Sequence, residues 1–123
     1  MAAGHLPAVD ATLQRWFLPT ELRHEDLPAV YRAREALERV DPAIWAMSLT
    51  AISQYDRSAD VPAITVPVSL LAAGHDPVST PTAMSQLANR LPRGRLHISS
   101  AAAHLSPFSE PETLARFLVD SAS

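Results

Sequence analysis

Two segments near the C-terminus carry the residue types that general acid–base chemistry needs. Val68 to Pro81 reads VSLLAAGHDPVSTP, an apolar run that leads into an acid, Asp76. Arg95 to Leu118 reads RLHISSAAAHLSPFSEPETLARFL, a short strand, a loop of small residues holding His104, and a closing segment of helical spacing. An acid just past a strand accepts the Nδ1–H of an imidazole, fixes its tautomer and stabilises the imidazolium formed in proton transfer. A histidine on a loop serves as base and then as acid. Each residue also has a plainer reading. Asp76-Pro77 is turn chemistry, and Asp76 suits the cap of a following helix; His104 alone reads as a surface histidine in a connection. The pair is more specific than either member. Both residues fall beyond the ends of successive strands, acid first and histidine later, one common chain order for the base and its orienting acid in nucleophilic catalysis.

The third group of such a constellation is missing from these 123 residues. The glycines are Gly4, Gly74 and Gly94, none of them in a G-x-S-x-G turn, and there is no cysteine. Without a nucleophile the acid and base have nothing to activate. The remaining histidines, His5, His24, His75 and His97, show no metal-ligand spacing, so neither a metal nor a cofactor is expected. Trp16-Phe17 and Trp45 read either as the wall of an apolar substrate pocket or as core packing.

These residues need elements to hold them, and the eleven prolines divide the chain accordingly. From Pro7 to about Tyr55 the pattern is helical. Val9, Leu13, Trp16 and Phe17 recur at spacings of three and four, and Pro19 is expected to end that segment. A second helix is predicted from Leu27 to Val40, with Ala29, Val30, Ala33, Leu37 and Val40 on one side. Asp41 and Pro42 suit the N-cap and first position of a third, which presents Ala43, Met47, Ala51 and Tyr55 together. Such broad apolar faces need something large to pack against. After Asp56-Arg57 the pattern changes. Val68–Ala73 reads as a strand buried on both faces of a parallel sheet. A helix from about Pro81 to Leu91 follows, then a strand at Arg95–Ile98 and a last helix from Pro111 with Leu114, Phe117 and Leu118 inward. Strand, helix, strand, helix implies parallel strands joined by a crossover. Two such strands leave both sheet edges open, which marks an incomplete domain.

Composition bounds the possibilities further. The length suits one small domain with a modest core. Apolar residues at 47% and charged residues at 19% fit a globular chain. A net charge of −3, with arginines scattered and no lysine, speaks against nucleic acid. No apolar run is long enough for a membrane span, and the first residues lack the features of a secretory signal. The expected compartment is the cytoplasm.

With those residues in place, the chain resembles the C-terminal part of the α/β-hydrolase superfamily. Within it the chain is most similar to 3-oxoadipate enol-lactonases and their relatives. Arg15-Trp16-Phe17 with Pro19, Asp41-Pro42 before a helix, Asp76-Pro77, Ala102-Ala103-His104-Leu105-Ser106 and Glu110-Pro111-Glu112 carry the likeness, which covers nearly the whole chain. It implies an α/β fold with a helical cap segment over residues 1–56 and the end of the core over 57–123. It implies that Asp76 is the triad acid, that His104 is the triad base and that Trp16 lines the substrate site. The chain departs from the pattern at Ala73, where glycine is usual, with Gly74 one place on, and at Pro107 and Phe108, where more polar residues are common. The larger departure is that nucleophile and oxyanion hole precede the cap in this family. The expectation is a serine hydrolase half acting on a small ester or lactone and inactive by itself, whose N-terminal half either comes from a separate polypeptide or has been lost. The competing expectation is a non-catalytic module that self-associates or binds a partner through its open sheet edge.

Overall fold

A computed structural model describes residues 9–24 and 27–122. His5 and Pro7, where sequence features were noted, lie outside the described residues. Prolines open most of the helices. Pro19, Pro28, Pro42, Pro81 and Pro111 are each the first residue of a helix, where a missing N–H costs nothing and the ring's φ is already helical. The order is α1 (Val9–Trp16), α2 (Pro19–Leu22), α3 (Pro28–Arg39), α4 (Pro42–Gln54), a 3-10 turn at Ser58–Ala63, β1 (Val68–Ala73), α5 (Pro81–Arg90), β2 (Gly94–Ser99), α6 (Ser106–Ser109) and α7 (Pro111–Ala122).

The strand–helix–strand–helix order holds. β1 and β2 are parallel, with α5 as the crossover, and the register runs from Val68 opposite Gly94 to Ala73 opposite Ser99. Both carboxyl ends therefore finish side by side, which brings the loops that follow them together. The expectation that β1 is buried on both faces does not hold. Only Ala72 is buried and Ser69 is exposed, because a sheet of two strands has too few neighbours to cover either face.

The helical half is built from α1 and α3. Val9, Leu13 and Phe17, one turn apart, meet Val30 and Leu37, two turns apart, in a single buried cluster. Leu13 is the largest fully buried side chain, and burying a leucine of this kind stabilises by about 1.5–3 kcal/mol. Arg34 on α3 reaches Asp10 on α1 at 2.9 Å, but the pair is exposed to water and contributes little.

Several sequence expectations are corrected in detail. Pro19 does not end the first helix, which stops at Trp16; it opens α2, whose Glu21 Oε2 accepts the Leu18 N–H at 2.6 Å. The 3-10 turn and α6 were not foreseen, since four to six residues are too few for a readable period. On α7, Leu114 and Phe117 are half-buried, but Leu118 is 57% exposed. α4 has no buried residue, and of its thirteen residues only Trp45 is even half-buried. Among the described residues no helix is long and apolar enough to cross a membrane.

Candidate functional site

The site begins where the two strands end. Parallel pairing continues past them: Gly74 N–H donates to the Ser99 carbonyl at 2.8 Å and His75 N–H to the Ala102 carbonyl at 2.9 Å. The two loops thus lie backbone against backbone, and only small residues permit it. A Cβ on Gly74 would collide with the Ser100 carbonyl oxygen and sit 2.9 Å from the Ser100 Cα. Ala102 and Ala103 are buried beneath the same crossing. A glycine here is required by close approach, since no glycine in the described residues has positive φ.

Asp76 is 7% exposed and its two oxygens divide the work. Oδ1 accepts the N–H groups of Val78 at 2.7 Å and Ser79 at 2.9 Å, closing the turn that Asp76-Pro77 suggested. Oδ2 meets Nδ1 of His104 at 2.9 Å. The turn and the contact with His104 therefore coexist, one oxygen each. Burial pushes the Asp76 carboxyl up. The hydrogen bonds from His104, Ser79 and Val78 outweigh it and hold the group below the ordinary carboxylate value. An ionised Asp76 obliges His104 to carry its proton on Nδ1. That leaves Nε2 as the basic nitrogen, and among the described residues nothing hydrogen-bonds it.

Trp16 completes the cluster. Its indole lies 6.4 Å from the His104 ring, centroid to centroid, and 6.2 Å from Trp45. Its carbonyl accepts the Leu105 N–H at 3.0 Å, so the end of α1 is tied to the residue beside His104. An open groove of about 410 Å³ runs alongside, with Trp16, Ala29, Ala33, Leu105 and Phe108 in its wall and Arg32 as its charged member. Asp76, His104 and Trp16, separated by up to eighty-eight positions in sequence, are thus brought to one place. His75 and His97 are not. His75 is exposed, and the His97 ring sits 6.1 Å from Phe117 on α7. No group of His, Cys, Asp or Glu suited to a metal ion occurs among the described residues. Sequence reasoning missed the backbone link from Leu105 to Trp16, which leaves no trace in side-chain types. It also read Gly74 only as a displaced glycine, although a lone glycine just past a strand is the usual signal of close backbone approach.

No protein-family model matches the chain, and no curated protein does. Solved structures do. The enol-lactonase from Burkholderia xenovorans LB400 superposes with a TM-score of 0.86 at 25% identity, over 98% of this chain and 46% of the lactonase. A hydrolase from Pseudomonas aeruginosa PA01 gives 0.83 at 24% identity, over 94% and 43%. A thermophilic esterase from Thermogutta terrifontis gives 0.77 at 20% identity, over 99% and 46%. The latter two bear on the fold alone. The chain spans less than half the length of each structure that it matches.

Proposed function

We propose, from the premise that this chain builds the C-terminal half of an α/β-hydrolase fold, that Asp76 and His104 are the acid and base of a serine-type hydrolase of small esters or lactones. The observation that carries the reading is the 2.9 Å contact between Nδ1 of His104 and Oδ2 of a buried Asp76, with Nε2 left unpartnered among the described residues. The likeness to an enol-lactonase supports a lactone or ester as the substrate class. Trp16 supplies an apolar wall beside the imidazole.

The chemistry follows from the proton positions. Nε2 of His104 takes the hydroxyl proton of a serine held outside these 123 residues, and the serine oxygen attacks the substrate carbonyl. The imidazolium, stabilised by Asp76, returns the proton to the departing oxygen as the acyl–oxygen bond breaks. Nε2 then takes a proton from water, hydroxide equivalent adds to the acyl ester, and the serine oxygen leaves with the proton. Each turnover consumes one water and releases an acid and an alcohol from an ester, or from a lactone a single ring-opened hydroxy acid or its keto form.

The test is hydrolysis of a small activated ester by the chain mixed with a polypeptide that carries a G-x-S-x-G strand–turn–helix. Activity should appear only on mixing. His104→Ala and Asp76→Asn should each lower it on the order of 10⁴-fold. A folded, inactive mixture would refute the catalytic reading. A second reading is favoured by the exposed apolar face of α4 and the two-stranded sheet: a non-catalytic module that self-associates or pairs a partner strand at its open edge. A folded mixture without activity, together with a stable homo-oligomer of the chain alone, would favour that reading instead.

A further inference from the structure

A histidine anchored at one nitrogen still swivels about its side-chain bonds, so the Asp76 contact alone does not aim Nε2. The second restraint on His104 comes from the helical half. The Trp16 ring lies 6.4 Å from the imidazole at an interplanar angle of 33°, and the Trp16 carbonyl holds the N–H of Leu105 at 3.0 Å. Trp16 in turn meets Trp45, 6.2 Å away and inclined at 58°, within the range of favourable tilted aromatic pairs. Trp45 makes no ring contact with His104 among the described residues. It is, however, the single residue of α4 that is not exposed, and it packs against the buried cluster that also takes up Trp16 and Leu105.

We propose that Trp45 is a positioning residue: it fixes the Trp16 indole, and through it the direction in which His104 presents Nε2. Its consequence for catalysis rests on the reading of His104 as a base; the positional relay does not. α4 offers no other half-buried side chain to the body, so Trp45 is the point through which the placement of that helix reaches the imidazole. Without the Trp45 ring, Trp16 loses that aromatic neighbour, and with it the restraint it passes to the His104 ring.

The test is proton and nitrogen magnetic resonance of the His104 ring in the 123-residue chain. Trp45→Leu keeps an apolar side chain and removes the ring, Trp45→Phe keeps a ring, and Ile52→Ala alters an exposed position of the same helix. The expected result has three parts. Trp45→Leu shifts the His104 carbon-bound ring protons and speeds exchange of the Nδ1 proton by about tenfold or more. Trp45→Phe restores most of both, and Ile52→Ala changes neither. His104 signals in Trp45→Leu identical to wild type would overturn the relay, as would a Trp45→Phe protein indistinguishable from Trp45→Leu. If Trp45→Leu fails to fold, Trp45→Met, which fills the space with a flexible chain and no ring, takes its place, and the same outcomes support or overturn the relay. Since no step depends on ester hydrolysis, a failed relay and a failed catalytic reading give different records.

Discussion

The division of Asp76 between a turn and a histidine sets how this residue answers to pH. Its folded carboxyl titrates below the unfolded value of about 3.9 because hydrogen bonds to the ionised form outweigh burial. The stabilisation is therefore fully present above that value and is lost as pH falls through it towards the lower folded one. We expect the denaturant midpoint of the wild-type chain to fall more steeply than that of Asp76→Asn between about pH 5 and pH 2. At neutral pH the variant should be less stable by about 1–3 kcal/mol, the worth of hydrogen bonds to a charged group. Gly74 is the other residue with a sharp expectation. Its Cβ would meet Ser100 backbone, which has no flexible end to yield. Gly74→Ala should cost about 1–3 kcal/mol in thermal unfolding and should separate the two loops enough to weaken the His104–Asp76 contact.

Among the elements, α4 and α5 look alike in sequence yet behave differently, because only one is packed. Both open on a proline with a capping side chain before it. Asp41 Oδ1 accepts the N–H of Ala43 at 2.7 Å and of Ile44 at 3.3 Å, and Thr80 Oγ1 accepts the N–H of Ala83 at 3.2 Å. α5 lies against both strands, whereas α4 is joined to the rest by Trp45. Removing either cap costs about 1 kcal/mol in helix stability. In Asp41→Ala the loss should appear as reduced helical circular dichroism with an unchanged unfolding midpoint, since α4 can fray by itself. In Thr80→Ala it should appear as a lower midpoint with native helicity kept, since α5 unfolds with the sheet. The same outcome in both variants would contradict this difference in packing.

Over the whole molecule, the source of stability and the surface open to a partner lie apart. Stability depends on the α1–α3 cluster, where Leu13 is 1% exposed; Leu13→Ala should cost about 2–5 kcal/mol. The proposed self-association would draw on surface left uncovered. Ile44, Met47, Leu49 and Ile52 on α4, and Tyr55 at its C-cap, are all more than half exposed, and the helix has not one charged residue. An apolar face of that kind calls for cover. A chain with Met47→Glu and Ile52→Glu should sediment as a smaller species than wild type at the same concentration, with the Asp76–His104 geometry intact. An unchanged sedimentation coefficient would count against self-association through α4.

The sequence by itself determined what local chemistry determines. Prolines and capping residues fixed helix starts, as at Asp41-Pro42, because capping is decided within a turn. The apolar run Val68–Ala73 and the turn at Gly94 fixed two strands to within a residue, and their spacing around a helix fixed them as parallel. The order of Asp76 and His104 made the pair legible, since each had to follow a strand end. Other features depended on what lies across space. Nothing in the run Val68–Ala73 reveals how many strands flank it, so its burial was misjudged; nor does the period of α7 tell that Leu118 faces outward. The tie from Leu105 to Trp16 joins two backbone groups, and backbone groups are the same in every residue. Distances between side chains remote in the chain, such as Trp45, Trp16 and His104, exist only once α1, α4 and the strand ends are packed, and tertiary structure alone decided them.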